Sequence, residues 1–134
     1  MPTVRVGAEV IVMATNGNRA LGEYGERIAE RYLIDQGLRV IDRNWRCPQG
    51  EIDIVALEGR CLVVCEVKTR RTRAFGEAVE AVVPAKLARL RRLAGCWREA
   101  HPEVSVDDMR IDVVGVLRPR SGPARTTHLR AVGA

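Results

Sequence analysis

Gly50-Glu51-Ile52-Asp53-Ile54-Val55-Ala56-Leu57-Glu58-Gly59-Arg60-Cys61-Leu62-Val63-Val64-Cys65-Glu66-Val67-Lys68 decides the fold. Two runs rich in β-branched residues flank Glu58-Gly59-Arg60, a connection short enough for a hairpin. Runs this apolar suit strands buried on both faces, where ionised residues are rarely tolerated. Yet one run carries Asp53 between two isoleucines, and the other carries Glu66 and Lys68. Side chains alternate along a strand, so Glu66 and Lys68 share a face, as do Glu51, Asp53 and Val55. Pairing the runs brings the carboxylates of Asp53 and Glu66 onto strands about 5 Å apart.

Outward from this hairpin, Leu38 to Trp45 reads as a third strand, closed by the turn Cys47-Pro48-Gln49-Gly50. Before it, Leu21, Tyr24, Ile28, Ala29, Tyr32 and Leu33 recur at three and four, which predicts a helix over Ala20 to Gln36 ended by Gly37. Glu26 and Glu30 share one face of that helix. After the hairpin, Arg70 to Gly76 reads as a basic loop. Pro84 then opens a helix to about Ala100, with Leu87, Leu90, Ala94 and Trp97 on one stripe. Met109 to Leu117 is a last, nearly continuous apolar strand. The order αβββαβ implies an α/β fold, a central mixed sheet flanked by helices. Residues 1–18 read as a flexible extension or a short strand, 19–117 as the folded domain, and 118–134 as a mobile basic arm without acids.

The chain has 134 residues, one domain's worth, with 22 Lys and Arg against 17 Asp and Glu, a formal charge of +5. No apolar run approaches the roughly 20 residues of a bilayer span, so a membrane-embedded protein is not expected. The first 18 residues lack the charge pattern and cleavage site of a secretory signal, which points to a cytoplasmic protein. There Cys47, Cys61, Cys65 and Cys96 are expected as reduced thiols, and no Cys-x-x-Cys spacing suggests zinc.

Two carboxylates and an ammonium on neighbouring strands need compensation, because desolvation and mutual repulsion oppose their ionisation. Lys68 neutralises one charge. A divalent cation such as Mg2+ or Mn2+ neutralises the rest, held by Asp53, Glu66 and a backbone carbonyl, that of Val67, with Glu26 assisting from the first helix. Such an ion would stabilise charge on a phosphodiester and acidify a bound water that Lys68 orients or deprotonates. A purely structural Asp, Glu and Lys network accounts for the spacing equally well. Around the site, Arg70, Arg71 and Arg73 follow Lys68 closely, and Lys86 and Arg89 lie on the second helix, all suited to a phosphate backbone. Glu51 and Asp112 are secondary candidates. His101 and His128 are not placed for general base work, and Phe75 is a loop anchor or a wedge between bases.

The Gly-x-x-Gly-Glu helix start at Gly22, GEIDIVA from Gly50, Glu-Val-Lys-Thr-Arg from Glu66, Phe75-Gly76, Lys86 and Arg-Ile-Asp-Val from Arg110 together resemble the bacterial YraN-like family. That family consists of small predicted endonucleases of the PD-(D/E)xK superfamily, similar to archaeal Holliday-junction resolvases. The resemblance runs from about Arg19 to Leu117. It implies a restriction-endonuclease-like core and metal-dependent catalysis by Glu26, Asp53, Glu66 and Lys68. The expected substrate is DNA rather than RNA, branched or otherwise structured. An accessory DNA-binding subunit of a repair, recombination or uptake complex is the alternative. A homodimer would suit symmetric cutting, though no residue in the sequence marks its face.

Overall fold

The computed structural model describes the backbone of residues 3–6, 9–12, 16–71 and 83–133, and the side chains of 19–71 and 83–133. Arg73, Phe75 and Gly76 lie outside the described residues.

The hairpin that anchors the sequence reading is present. β4 (Gly50–Glu58) and β5 (Cys61–Arg70) pair antiparallel from Glu58 and Cys61 to Ile54 and Cys65. β3 (Arg39–Cys47) pairs antiparallel with β4 on the other side. β5 then pairs parallel with β6 (Asp108–Leu117), which requires a crossover, supplied by α2 (Pro84–Ala100). The result is an α/β fold, a mixed sheet with the restriction-endonuclease-like order αβββαβ at its core.

Alternation along β5 distributes the two helices. Leu62 and Val64 pack with Leu87, Leu90, Leu93, Ala94 and Trp97 of α2, whereas Val63 and Cys65 pack with Ala29 and Leu33 of α1 (Asn16–Asp35). Each helix therefore buries its apolar stripe on an opposite face of one sheet. β5 and β6 lie at the centre, where Val63, Val64, Cys65, Val113 and Val114 are fully buried. α1 starts at Asn16, earlier than the Ala20 expected, because the Asn-rich run read as a turn belongs to residue types that equally favour helix starts. Gly37 ends it with φ +95°. β1 (Thr3–Val6) and β2 (Glu9–Val12) form a separate two-stranded hairpin in the segment read as an extension or a short strand.

The basic C-terminal segment corrects the expectation of a mobile arm. β7 (Arg125–Leu129) pairs antiparallel with Val113 to Leu117 and closes the sheet as β3-β4-β5-β6-β7. Its counter-charges come from the strands. Asp112, fully buried, accepts from Arg110 Nε at 3.0 Å, lies 2.8 Å from His128 Nε2 and accepts from the Ala131 N–H at 2.9 Å. His128 Nδ1 is 3.1 Å from the Tyr32 hydroxyl on α1. Glu58 receives both Arg110 and Arg130, which hold its carboxyl down to about 2. An arm with no acid of its own looks unattached in sequence, since the partners that hold it lie far away in the chain.

α1 approaches β5 at one point with no room to spare. A Cβ at Gly25 would overlap the Thr69 side chain. Glycine there is a packing requirement, and it sets the depth at which the next residue, Glu26, meets the sheet. Gly25→Ala is expected to destabilise the protein by about 1–3 kcal/mol in urea unfolding, the usual range for overpacking. Adding Thr69→Ala should recover much of that loss.

Candidate active site

The ladder between β4 and β5 stops at Ile54 and Cys65, one step short of Asp53 and Glu66. Beyond that point the Val67 N–H is received by Asp53 Oδ2 at 2.8 Å. A carboxylate thus replaces the missing backbone acceptor where the strands part. On the other side of β4, the register steps from Arg43 and Ile54 to Trp45 and Ile52, leaving Asn44 facing Asp53 outside the ladder. Ile52 packs with the α2-side core and Ile54 with the α1-side core. Strict alternation therefore slips at Asp53 and puts Glu51 and Val55 on opposite faces, against the expectation that Glu51, Asp53 and Val55 share one.

Asp53, Glu66, Lys68 and Glu26 are all half-buried, and their electrostatics show that they share one region. Burial pushes the Asp53 carboxyl from its ordinary 3.8 up to about 7, helped by the charge of Glu66 and opposed by the Val67 hydrogen bond; Glu26 and Glu51 add smaller upward pushes. Burial also raises Glu26, opposed by the nearby Asn44 side chain. Lys68 is lowered, first by burial and then by the neighbouring Lys86, against the pull of Glu66 and Asp53. An amine shifted this way holds its proton less tightly and suits a role in positioning or deprotonating water.

Lys68 does not pair directly with either strand carboxylate, as the sequence reading expected. Among the described residues no ion pair within 4.0 Å involves Glu26, Asp53, Glu66 or Lys68. The network around Asp112 and Glu58, by contrast, is built of such pairs. Among the described residues, no three His, Cys, Asp or Glu side chains already form a metal-holding group. The donor set nonetheless fits Mg2+, which takes one or two carboxylates and completes its shell with water and substrate oxygens rather than a full protein cage.

The surrounding candidates separate. Lys86 stands beside Lys68. The Arg89 guanidinium lies over Gly50, at the turn that opens β4. Arg70 ends β5, its carbonyl accepting from the Arg118 N–H at 2.8 Å, and Arg71 is exposed just beyond. Glu51 meets Arg46 at 3.3 Å near the mouth of the strand. Asp112 belongs to the β7 attachment, and His101 stacks on Trp97, so neither joins the site. The sequence reading passed over Asn44. Its one signal was an asparagine, the residue type most tolerant of positive φ, in the middle of a strand.

The core is restriction-endonuclease-like, with half-buried carboxyl groups and a lysine where two strands part. The chain belongs to the family described as "Uncharacterised protein family UPF0102", which it matches over residues 25–116, a span that includes all four candidate residues. This is the YraN-like family that its motifs resemble. It is 58% identical over 113 residues to a UPF0102 protein of Kineococcus radiotolerans, covering 84% of this chain and 93% of the relative. It is 57% identical over 114 residues to one of Beutenbergia cavernae, covering 85% and 96%. A third, from Streptomyces griseus, is 53% identical over 117 residues, covering 87% and 98%. No helix among the described residues is long and apolar enough to cross a membrane.

The raised carboxyl of Asp53 fixes a sign for stability. Below pH 3.8 both folded and unfolded chains keep its proton. As pH rises toward 7 only the unfolded chain loses it, so Asp53 makes the fold progressively less stable, by roughly 1.4 kcal/mol for each pH unit of displacement. Asp53→Asn keeps an acceptor for Val67 and removes this dependence. Its urea midpoint is expected to match wild type near about pH 4 and to exceed it at about pH 8.

Proposed function

We propose that this protein is a divalent-metal-dependent nuclease that hydrolyses phosphodiester bonds in DNA, branched or otherwise structured DNA in particular. The observation that carries this reading is the half-buried set of Asp53, Glu66 and Glu26 carboxyl groups, without ion-pair partners among the described residues, beside a lysine of lowered pKa. Carboxylates placed this way weaken the fold, and a cation with a phosphate substrate supplies what they lack.

In this reading Asp53 and Glu66 hold Mg2+ or Mn2+, with Glu26 and the Val67 carbonyl as further ligands. The ion, when bound, supplies positive charge for the developing phosphorane and acidifies water. Lys68 Nζ orients the attacking water and accepts its proton. Lys86, Arg89, Arg70 and Arg71 bind the phosphate backbone, joined by Arg73 from the loop that follows. The small number of aromatic residues, five in all, favours recognition of backbone and shape over base-specific reading.

The test is purified protein with Mg2+ or Mn2+ against branched, flap, single-stranded and duplex DNA. Cleavage is expected, and Asp53→Ala and Lys68→Ala should each lower it at least about 100-fold, within the usual range for removing a general acid or base or its equivalent. Absence of cleavage on every substrate, or cleavage that survives both substitutions, overturns the reading.

The lack of a preassembled three-ligand group among the described residues favours one alternative, a DNA-binding accessory subunit of a repair, recombination or uptake complex. That protein would bind DNA with the same affinity in chelator as in Mg2+. In either reading, replacing Arg70, Arg71 and Arg73 together should weaken binding and lower the slope of log affinity against log salt by up to about 3, near one per phosphate contact. An unchanged slope removes the basic loop from the interface.

A further inference from the structure

Ion pairing differs between the two ends of the sheet. At the end where β5 begins, Arg60 is held by Asp107 at 2.6 Å, Arg110 by Glu58 at 2.6 Å and Asp112 at 3.0 Å, and Arg130 by Glu58 at 2.7 Å. At the end where β5 and β6 finish, beside the candidate site, Arg46 meets Glu51 at 3.3 Å. There Arg71, Lys86, Arg89 and Arg118 form no ion pair within 4.0 Å among the described residues. Of these four, Arg118 is the one that the sequence alone places in a loose tail.

The end of β6 decides where Arg118 stands. β5 and β6 run parallel and in register, with Thr69 beside Val116 and Arg70 beside Leu117. Val114 and Val116 pack with the α1-side core, so alternation puts Arg118 on that side as well. Its guanidinium carbon lies 4.8 Å from the centre of the Tyr24 ring on α1. Its backbone N–H donates to the Arg70 carbonyl at 2.8 Å. Tyr24 precedes Gly25, the residue that meets Thr69 of β5. Backbone and side chain of Arg118 are thus both fixed at the finish of β5, although the residue is exposed.

An arginine laid on an aromatic ring keeps the N–H donors in its plane available to a ligand. Its rotamer freedom is already reduced, which favours phosphate binding over that of a freely swinging side chain. We propose that Arg118, seated on Tyr24, binds a phosphate of the DNA backbone and carries the interface across the ends of β5 and β6 to the α1 side of the sheet. This rests on the nucleic-acid part of the reading above and does not require cleavage. Lys86 and Arg89 belong to α2, which packs on the opposite face. A backbone that touches both sets therefore passes over the end of the sheet that holds Lys68.

The test measures binding of a labelled branched DNA by fluorescence anisotropy in EDTA, across a salt series. Arg118→Ala is expected to lower the slope of log affinity against log salt by about one and to weaken binding about fivefold at ~0.15 M salt, the effect of losing one phosphate contact. Arg60→Ala removes the same charge at the opposite end, and its slope should match wild type. Tyr24→Phe keeps the ring face and should bind as wild type does, while Tyr24→Leu stays apolar and removes the seat. Arg118→Ala should then cost less affinity in the Tyr24→Leu background than in wild type. An unchanged slope in Arg118→Ala, or an equal fall in Arg60→Ala, overturns the proposal. Additive effects of Tyr24→Leu and Arg118→Ala overturn the role of the seat. DNA binding with no cleavage in Mn2+ defeats the nuclease reading and leaves these slopes decisive, whereas cleavage with an unchanged Arg118→Ala slope defeats this proposal alone. A wild type that binds no DNA defeats both.

Discussion

The parting of β4 and β5 is the constraint on which the rest of the molecule depends. Where two strands separate inside a sheet, backbone N–H groups lose their partners, and a buried donor without an acceptor costs about 1–3 kcal/mol. Asp53 meets this need by receiving the Val67 N–H. Its carboxylate is thereby fixed beside Glu66, which would have been its cross-strand neighbour had the ladder continued. The irregularity that interrupts the ladder is also what sets the two carboxyl groups side by side. α1 then completes the region because Gly25 lets the helix settle against Thr69.

Two aspartates on this sheet show how differently a carboxylate is used. Asp112 is fully buried and surrounded by Arg110, His128 and a backbone N–H, so its charge is answered from several sides. Asp53 is less enclosed, receives one backbone hydrogen bond and faces other carboxylates, so its proton is held to about 7. The first arrangement holds a strand in place. The second leaves a demand for positive charge that the protein itself does not meet among the described residues. Burial alone would have ranked Asp112 first, and the partners reverse that order.

Much of this was legible in the sequence because periodicity and turns are local. The hairpin around Gly59, the stripe of α2 and the apolar run of β6 fall within a residue or two of their expected bounds. The candidate residues Asp53, Glu66 and Lys68 stood out because charges in apolar strands are costly wherever they occur. What was not legible depends on distant contacts. β7 looked like a loose arm because its partners Glu58 and Asp112 lie far back in the chain. The slip of alternation at Asp53 arises from pairing with two neighbours at once, which no single strand records. Asn44 was hidden for the same reason, since its setting depends on the strand opposite and on a backbone angle.

β7 carries a consequence for where this fold can be cut. The match to the family ends at residue 116, and the last strand of the αβββαβ core ends at Leu117. A fragment ending there would bare the outer edge of β6, a nearly continuous apolar strand, to pairing with other chains. It would also leave Asp112 without the Ala131 N–H and His128. The packed structure therefore reaches through the C-terminal segment to Gly133, whose carbonyl receives Arg91 of α2. The end of the family model's match and the end of the packed sheet are different places in this chain.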